Sequence, residues 1–398
     1  MKFSTKILAV TLCSLSGLVV AGPQYHEARS DAMGGVGVAS SNPEGAAFIN
    51  PALLAIHAPD QRGGVMMLPV LGAEVSNLSD FQDQFDETQA TYDDLDVAIL
   101  TGNVNEIDSL RTQLIQDLQG LDNQMAFGNL GMGLSLVLPT KKMPIALFYK
   151  TYIDAVGVAD VAQTDIDDLQ NIDPNNPPAL RDLDSQGVVL AGAVSDFGVA
   201  LSFPLSIVNM PISVGVSPKL QRIDTYNYVI SANNFDYSDF DDDKYRNSDN
   251  AFNLDIGLAM QPVEGMTLGL SGRNLISHNV DTVVSDGRSF TYHTEARYTA
   301  GIAYEWGIFN VASDLDLSTN ESFDVLGQTQ YWRFGGEMKP MDWVALRLGY
   351  RLDLEDTVAD IYSFGAGFSI GSTFNLDLTG ILGTDDTVGG VIQTSYHF

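Results

Sequence analysis

The side chains of this sequence that could do chemistry are five histidines, one cysteine and a surplus of carboxylates, and their spacing assigns them no reaction. His26, His57, His278, His293 and His397 are scattered along the chain, and none forms the H-E-x-x-H pair that holds zinc on one helix face. No G-x-S-x-G elbow presents a serine nucleophile. Cys13 is the single thiol, so there is no disulfide, no C-x-x-C redox pair and no thiolate metal site. Gly34-Gly35-Val36-Gly37 lacks both the dinucleotide-binding spacing and the G-K-[ST] ending of a phosphate loop. Asp239-Phe240-Asp241-Asp242-Asp243 has the carboxylates for calcium but not the glycine that turns an EF-hand loop, and it reads as a solvated acidic loop. The expectation is a protein that is not an enzyme and carries no cofactor and no metal.

Charge narrows the partners. The chain has 51 Asp plus Glu against 20 Lys plus Arg, a formal net charge of −31. Nucleic acid is bound through basic patches on its phosphates, so no nucleic-acid partner is expected.

The elements that position the remaining polar residues begin with a leader. Lys2 and Lys6 precede an apolar run of Ile7–Val10 and Leu12–Val20 that closes at Ala21. This is the pattern of a cleaved secretory signal over residues 1–21, and it is shorter than the roughly 20 residues a spanning helix needs. Leu12 stands before Cys13 where lipoprotein processing requires a small residue. After Ala21 no stretch has the length of a membrane helix. A chain without one can still cross a membrane if its backbone pairs around a closed barrel, and the mark of that is alternation in segments of roughly ten residues.

The alternation is clearest in the last third. Tyr298, Ala300, Ile302, Tyr304 and Trp306 share one face of 297–306; Val344, Leu346, Leu348, Tyr350 and Leu352 share one face of 343–353. Segments 309–317, 332–338 and 373–379 repeat the pattern. Their opposite faces carry Asp314, Asp316, Arg333, Glu337, Arg347, Arg351 and Asp377. These seven are expected inside the lumen as a mixed-charge network, because each Arg left on lipid at the bilayer midplane would cost roughly 2–4 kcal/mol. Trp306, Trp332 and Tyr350 lie near segment ends, as interfacial girdles require. The predicted fold is all-β: a transmembrane antiparallel barrel of about 14 strands, even-numbered as bacterial barrels are, with an amino-terminal plug and a small helical insertion.

Two regions stand apart from the alternation. Residues 22–60 are small and turn-rich: Gly34, Gly35 and Gly37, then Asn42-Pro43, then Asn50-Pro51-Ala52. Each Asn-Pro reads as a helix start, with Asn capping and Pro at the first position. The segment is expected to pack in a confined space as a plug, or to brace the first strand. Residues 77–123 are acidic, and Ile107, Leu110, Leu114, Ile115 and Leu118 fall at helical spacing between a capping Asn105 and a terminating Gly120. This predicts an inserted helical hairpin, either self-packed or partner-binding. Residues 160–186 and 232–250 read as Asp/Asn/Pro-rich loops. The domain division is therefore a signal at 1–21, a plug at 22–60 and a barrel at 61–398.

Several of these runs resemble known families. The chain ends on Phe398 with Tyr396 and Ile392 on the same face, which resembles the carboxy-terminal signal read by the barrel-assembly machinery; Thr394 departs from it. Arg29 to Leu54 is similar to the amino terminus of the FadL-like superfamily, whose "AMGGAGVA … NPA" pattern forms a hatch inside a barrel. Leu53 stands where FadL-type members usually carry Gly. Asn253–Leu258 with Met266–Leu275, and Tyr331–Gly335 with Ala345–Arg351, resemble strand pairs of the PorV-like and TraF-like branches, and over most of its length the chain resembles the conjugal-transfer TraF-like outer-membrane family. The resemblance implies residence in the cell outer membrane and passage or handling of hydrophobic small molecules. The alternative is a non-transporting envelope interaction protein tied to conjugal transfer or a surface apparatus. The implied partners are outer-membrane lipid, the barrel-assembly machinery, a hydrophobic ligand and an envelope protein.

Overall fold

A computed structural model describes residues 25–57, 63–122, 124–140, 142–207, 210–234, 242–323, 327–371, 373–384 and 386–398. The leader expected at 1–21, residues 22–24 and 58–60 of the plug, and Asp239, Phe240 and Asp241 lie outside them.

Fourteen antiparallel strands close into one barrel. In chain order they are β1 (Val65–Ser76), β2 (Met125–Leu138), β3 (Ile145–Asp160), β4 (Gln186–Ile207), β5 (Met210–Ser231), β6 (Arg246–Met260) and β7 (Met266–Arg273). A small hairpin, β8 (His278–Asp281) and β9 (Thr291–Thr294), forms a separate two-stranded sheet that is not part of the wall. The wall resumes with β10 (Arg297–Trp306), β11 (Phe309–Asp316), β12 (Tyr331–Met341), β13 (Val344–Asp353), β14 (Ile361–Ile370), β15 (Phe374–Gly383) and β16 (Val388–His397). The seam joins β1 to β16, and it is extended by Gly64 and Phe398, which exchange backbone hydrogen bonds of 2.8 and 3.0 Å. Closure leaves no edge, so every wall strand has two partners, as a lipid-embedded backbone requires.

The outward positions are apolar yet exposed: Leu147, Leu220, Ile256, Ile302, Leu348, Leu378 and Ile392 are examples. An apolar belt around a closed barrel is the surface that lipid covers. No helix among the described residues is long and apolar enough to cross a membrane; the strands do so. The carboxy terminus and the tight turns β2–β3, β4–β5, β6–β7, β10–β11, β12–β13 and β14–β15 share one end, here the lower one. The long connections share the upper end.

The wall is uneven in height. β4 and β5 run for 22 residues each, whereas β13, β14, β15 and β16 run for 10. At a rise of about 3.3 Å per residue, that is about 70 Å of strand against about 33 Å. The outer face of β5 shows where the membrane stops. It is apolar at Ile212, Val214, Val216 and Leu220, and then carries Arg222 and Asp224, ion-paired at 2.8 Å. The upper parts of the tall strands therefore stand in water.

The tall side bears the helical insertion, α4 (Leu78–Thr101) and α5 (Val104–Leu121), with α6 (Gln163–Gln170) beside it. Phe81, Phe85, Leu95, Ile107, Leu114 and Leu118 form its core, which continues onto Ala126, Ala159 and Tyr228 of the wall. The helix bounds differ from the sequence reading. Asn103, not Asn105, precedes α5, and Gly120 lies within it; the helix continues one residue to bury Leu121, which outweighs the roughly 1 kcal/mol propensity penalty of an internal glycine.

Candidate functional site

The first described residues thread the lumen rather than the wall. Short helices α1 (Ala28–Ala32), α2 (Pro43–Ile49) and α3 (Leu53–His57) lie inside the ring of strands. Glu27 caps α1 by accepting from the Ser30 and Arg29 amides at 2.8 and 3.4 Å. Asn42 caps α2 by accepting from the Gly45 amide at 3.2 Å, with Pro43 at the first position. The wall makes room for this segment with inward glycines. A Cβ on Gly335 would sit 2.5 Å from the Met33 carbonyl, on Gly269 2.2 Å from that of Val38, and on Gly215 2.3 Å from the Ala52 amide. Gly34 adds a second requirement, with φ of +74° and the Tyr350 backbone 2.6 Å from its missing Cβ, a combination only glycine meets without strain.

On the short side, ion pairs fix the segment. Arg29 of α1 donates from Nε and Nη2 to the two carboxylate oxygens of Glu337, each at 3.1 Å, and from Nη1 to the Ser40 carbonyl at 2.5 Å. Glu337 also accepts from Arg347 Nε at 2.8 Å, and Arg347 Nη1 donates to Asp377 at 2.5 Å. Burial opposes the charge on Arg29, but the Glu337 carboxylate more than compensates and raises its pKa. Asp314 accepts from the Gly37 and Val38 amides at 2.7 and 2.9 Å. Arg333 forks onto Asp316 at 2.8 and 3.0 Å, and Arg351 pairs with Glu74. All seven charges singled out in the sequence face inward, and each has a partner; Arg29, Glu74 and the Gly37–Val38 amides complete the set. Glu44, buried at the start of α2, has its carboxyl pushed up to about 7 by burial.

The tall side is built differently. At mid-height Lys219 donates to Asp196 at 2.8 Å and pairs with Asp255 at 3.0 Å; Tyr25 donates to Asp196 at 2.7 Å. Lys150 donates to the Phe48 carbonyl at 3.2 Å and lies 3.9 Å above the Tyr25 ring. Above this layer the lumen is mainly apolar, packed around the buried Asp154, which accepts from Asn129 at 2.8 Å. Tyr152, Val156, Leu190, Val194 and Ile223 pack inward with Val280 and Tyr292 of the β8–β9 hairpin and with Phe323. The hairpin enters the barrel because Gly192 leaves space: a Cβ there would meet the Tyr292 ring at 2.2 Å.

Asn50 is fully buried within the wall. It closes α2 as its carboxy-terminal cap and does not start a helix, and Pro51 is not a first helical residue, because α3 begins at Leu53. Instead its amide nitrogen donates to the Val38 carbonyl at 2.7 Å and to Leu258 of β6 at 3.3 Å, while its oxygen accepts from the Ala52 amide at 3.1 Å. Ser202 and Ser213 donate to the Ala52 carbonyl at 3.1 and 2.8 Å. The demand for three partners in a dry lumen outweighs local capping. Gly35 also has a positive φ, +87°, and ends the turn after α1. Ile392, Tyr396 and Phe398 lie on the outer face and are exposed. Asp242 pairs with Lys244, and Asp243 with Arg246. Sequence reasoning missed Lys150, Asp196, Lys219 and Asp255, although Asp196 is the one charge in an otherwise uncharged 22-residue strand, which is a usable signal. It also missed that β8–β9 turns inward, for which Tyr292 gives no local cue.

Residues 47–316 match the protein family described as "F plasmid transfer operon, TraF, protein". No curated protein matches the chain in sequence. The crystal structure of the Ralstonia pickettii toluene transporter TbuX is similar with a TM-score of 0.57 and 11% identity, covering 95% of this chain and 100% of that one. The TodX deltaS2S3 mutant monoaromatic hydrocarbon channel is similar with a TM-score of 0.52 and 12% identity, over 94% and 98%. A Pseudomonas aeruginosa FadL homologue is similar with a TM-score of 0.50 and 12% identity, over 96% and 99%. These likenesses carry the fold: a closed barrel of the FadL type.

Proposed function

This chain belongs to the F plasmid transfer operon TraF protein family and has a FadL-type barrel fold; from that premise we propose that it passes or handles hydrophobic small molecules across the outer membrane. One observation carries the reading. The upper lumen holds an apolar face of Val156, Leu190, Val194 and Ile223 directly above the inner segment, where a barrel passing ions would be polar. In this reading a hydrophobic solute enters from the upper, outer end after the β8–β9 hairpin lifts, and residues 25–57 act as the plug whose movement gates further passage. The tight turns then face the periplasm, in keeping with short periplasmic turns and long outer loops. The leader would be cleaved on export, and Ile392, Tyr396 and Phe398 would be read by the barrel-assembly machinery. The described relatives of this fold are channels and transporters, and we read the chain as non-catalytic.

A second reading is favoured by the tip of the helical hairpin. Val97, Leu100 and Val104 stand exposed there, Leu100 at 77%, as a docking element for an envelope protein would. The two readings separate in one experiment. Cells with and without the gene are compared for uptake of a monoaromatic hydrocarbon and of a fatty acid, alongside envelope proteins co-purifying with the intact chain and with a chain lacking residues 78–121. Gene-dependent uptake supports passage; unchanged uptake with a partner lost on deletion supports docking.

A further inference from the structure

Neighbouring strands of the tall side set four residues in one lumen-facing row. The register places Asn129 of β2 against Asp154 of β3, Asp154 against Gly192 of β4, and Gly192 against Thr225 of β5. Val156 and Leu190 flank the row above, and Tyr152 and Val194 flank it below. The middle of the row is a hollow with a polar end, since Gly192 has no side chain and the Asp154 carboxylate stands beside the gap. The ring of Tyr292, from the β8–β9 hairpin, fills it. That ring is fully buried, a Cβ on Gly192 would meet it at 2.2 Å, and the Phe323 ring packs against it at 5.0 Å.

Tyr292 does not belong to the wall. Its hairpin is a sheet of its own. Side chains fasten it, among them Asn227, which donates to the Val283 and Arg288 carbonyls at 2.8 and 3.0 Å, and the exposed ion pair of Arg288 with Asp160. The hairpin can therefore lift without opening a wall ladder. Asp154 would then keep Asn129, which donates to Oδ1 at 2.8 Å, and Arg297 as its cationic neighbour. Its Oδ2 would lose the Tyr292 hydroxyl, and a buried acceptor deprived of its donor is costly. A purely apolar guest would fill the ring-shaped space and leave that oxygen unmet. A ring bearing a hydroxyl satisfies both. The Tyr292 hydroxyl lies 3.3 Å from Asp154 Oδ2 and 3.3 Å from the Tyr152 hydroxyl, longer than the roughly 2.7–2.8 Å preferred between a hydroxyl oxygen and its acceptor. A ring tethered through β9 stops short of the carboxylate; an untethered one can close the distance and make a charge-assisted bond.

We propose that the Gly192 hollow is a binding site for a single-ring phenol, with the ring in the place of Tyr292 and the hydroxyl on Asp154. This rests on the reading that the barrel passes hydrophobic molecules, and narrows it to aromatic rings that carry a hydroxyl. The tyrosine side chain beyond Cα is itself 4-methylphenol, so Tyr292 is the occupant that the guest displaces, and displacement couples the guest's arrival to lifting of the hairpin. Tyr152 presents its hydroxyl at the same point and is the second group to touch the guest's oxygen. A phenol is neutral at pH 7, with a pKa of about 10, whereas an ionised carboxylic acid would bring a second negative charge against Asp154.

The test measures saturable binding of 4-methylphenol and of toluene to the full chain in detergent, by calorimetry against the same micelles without protein. The expected result is a preference of about tenfold or more for 4-methylphenol, the worth of a hydrogen bond to a charged group, reduced several-fold in Asp154→Asn. Tyr292→Ala removes the internal occupant, so it should bind 4-methylphenol more tightly than the native chain and recover with it the unfolding midpoint that the substitution loses. Co-crystals of the native chain with 4-bromophenol need no variant, and an anomalous bromine peak beside Gly192 is expected, with Tyr292 displaced. Equal affinity for the two compounds, a preference unchanged in Asp154→Asn, no gain in Tyr292→Ala, or bromine absent from the hollow would each overturn the site. Uptake by cells with and without the gene keeps this site apart from the reading it rests on. Gene-dependent uptake of toluene with no preference for 4-methylphenol overturns the phenol site alone. No gene-dependent uptake of either compound, with 4-methylphenol still bound by the purified chain, overturns passage and supports the site.

Discussion

The two sides of this barrel hold the same inner segment by different means. From β10 to β16 the wall is short, and its lumen face is a lattice of arginines and carboxylates into which Arg29 and the Gly37–Val38 amides are built. From β2 to β6 the wall is tall, with one charged layer around Lys219 and then packed apolar side chains. The difference follows from where each wall stands. Short strands barely exceed the bilayer, so their outer face must be apolar and all their polarity is directed inward, where charges are tolerable only in pairs. The tall strands rise beyond the membrane with the helical insertion packed on their outer face, and there the interior can be packed like that of a water-soluble domain. Ion pairs fix position through directional bonds, whereas apolar packing can be rearranged by a guest of similar chemistry. The comparison assigns fixing to one side and accommodation to the other.

Removing what both sides hold has the largest expected effect. A chain lacking residues 24–58 should fold, remain heat-modifiable on gels, and show a large, steady rise in planar-bilayer conductance. A folded truncation that conducts no more than the intact barrel would move the barrier to the β8–β9 hairpin of the tall side.

Glu337→Gln tests the lattice alone. It leaves Arg29 and Arg347 without their shared carboxylate and should cost about 3–5 kcal/mol in denaturant unfolding, as breaking one partner of a buried pair does. A cost below about 1 kcal/mol, the range of an exposed pair, would mean the lattice is as wet as a surface.

Proton linkage gives the next effect. Burial raises the Glu44 carboxyl from 4.5 to about 7, so the folded state prefers the protonated form. Its contribution to stability is complete below pH about 4.5 and is lost as pH rises to about 7, a change on the order of 3 kcal/mol at most. Glu44→Gln should flatten the unfolding midpoint across that window. An unchanged slope in the variant would assign the pH dependence to other groups.

The smallest change is expected on the tall side. Ile223→Val removes one methylene from a packed apolar cluster and should cost about 0.5–1.5 kcal/mol. A loss as large as that of Glu337→Gln would erase the distinction between the two sides.

Much of this was legible in the residues. Period-two alternation put Leu346, Leu348 and Tyr350 on one face and Arg347 and Arg351 on the other, and the structure keeps that division. The Asn42-Pro43 start was readable because a cap and a fixed φ are local properties. Asn50-Pro51 has the same two residues and a different outcome, since the Val38 and Leu258 carbonyls that claim Asn50 come from 12 and 208 positions away. The cations of the tall side were present at Lys150 and Lys219, each in a strand that also carries other charges, but their common layer was not readable.

The sequence by itself determined that the chain forms a closed barrel whose later strands turn their charges inward, because alternation is set by neighbouring residues and a wall in lipid has one arrangement that satisfies its backbone. Only the tertiary structure decided which charge meets which, that Arg273 faces Arg297, and that the β8–β9 hairpin turns inward. Those outcomes depend on inter-strand register and on what fills the lumen. Both are set by contacts between residues far apart in the chain, where a one-residue slip would exchange every partner.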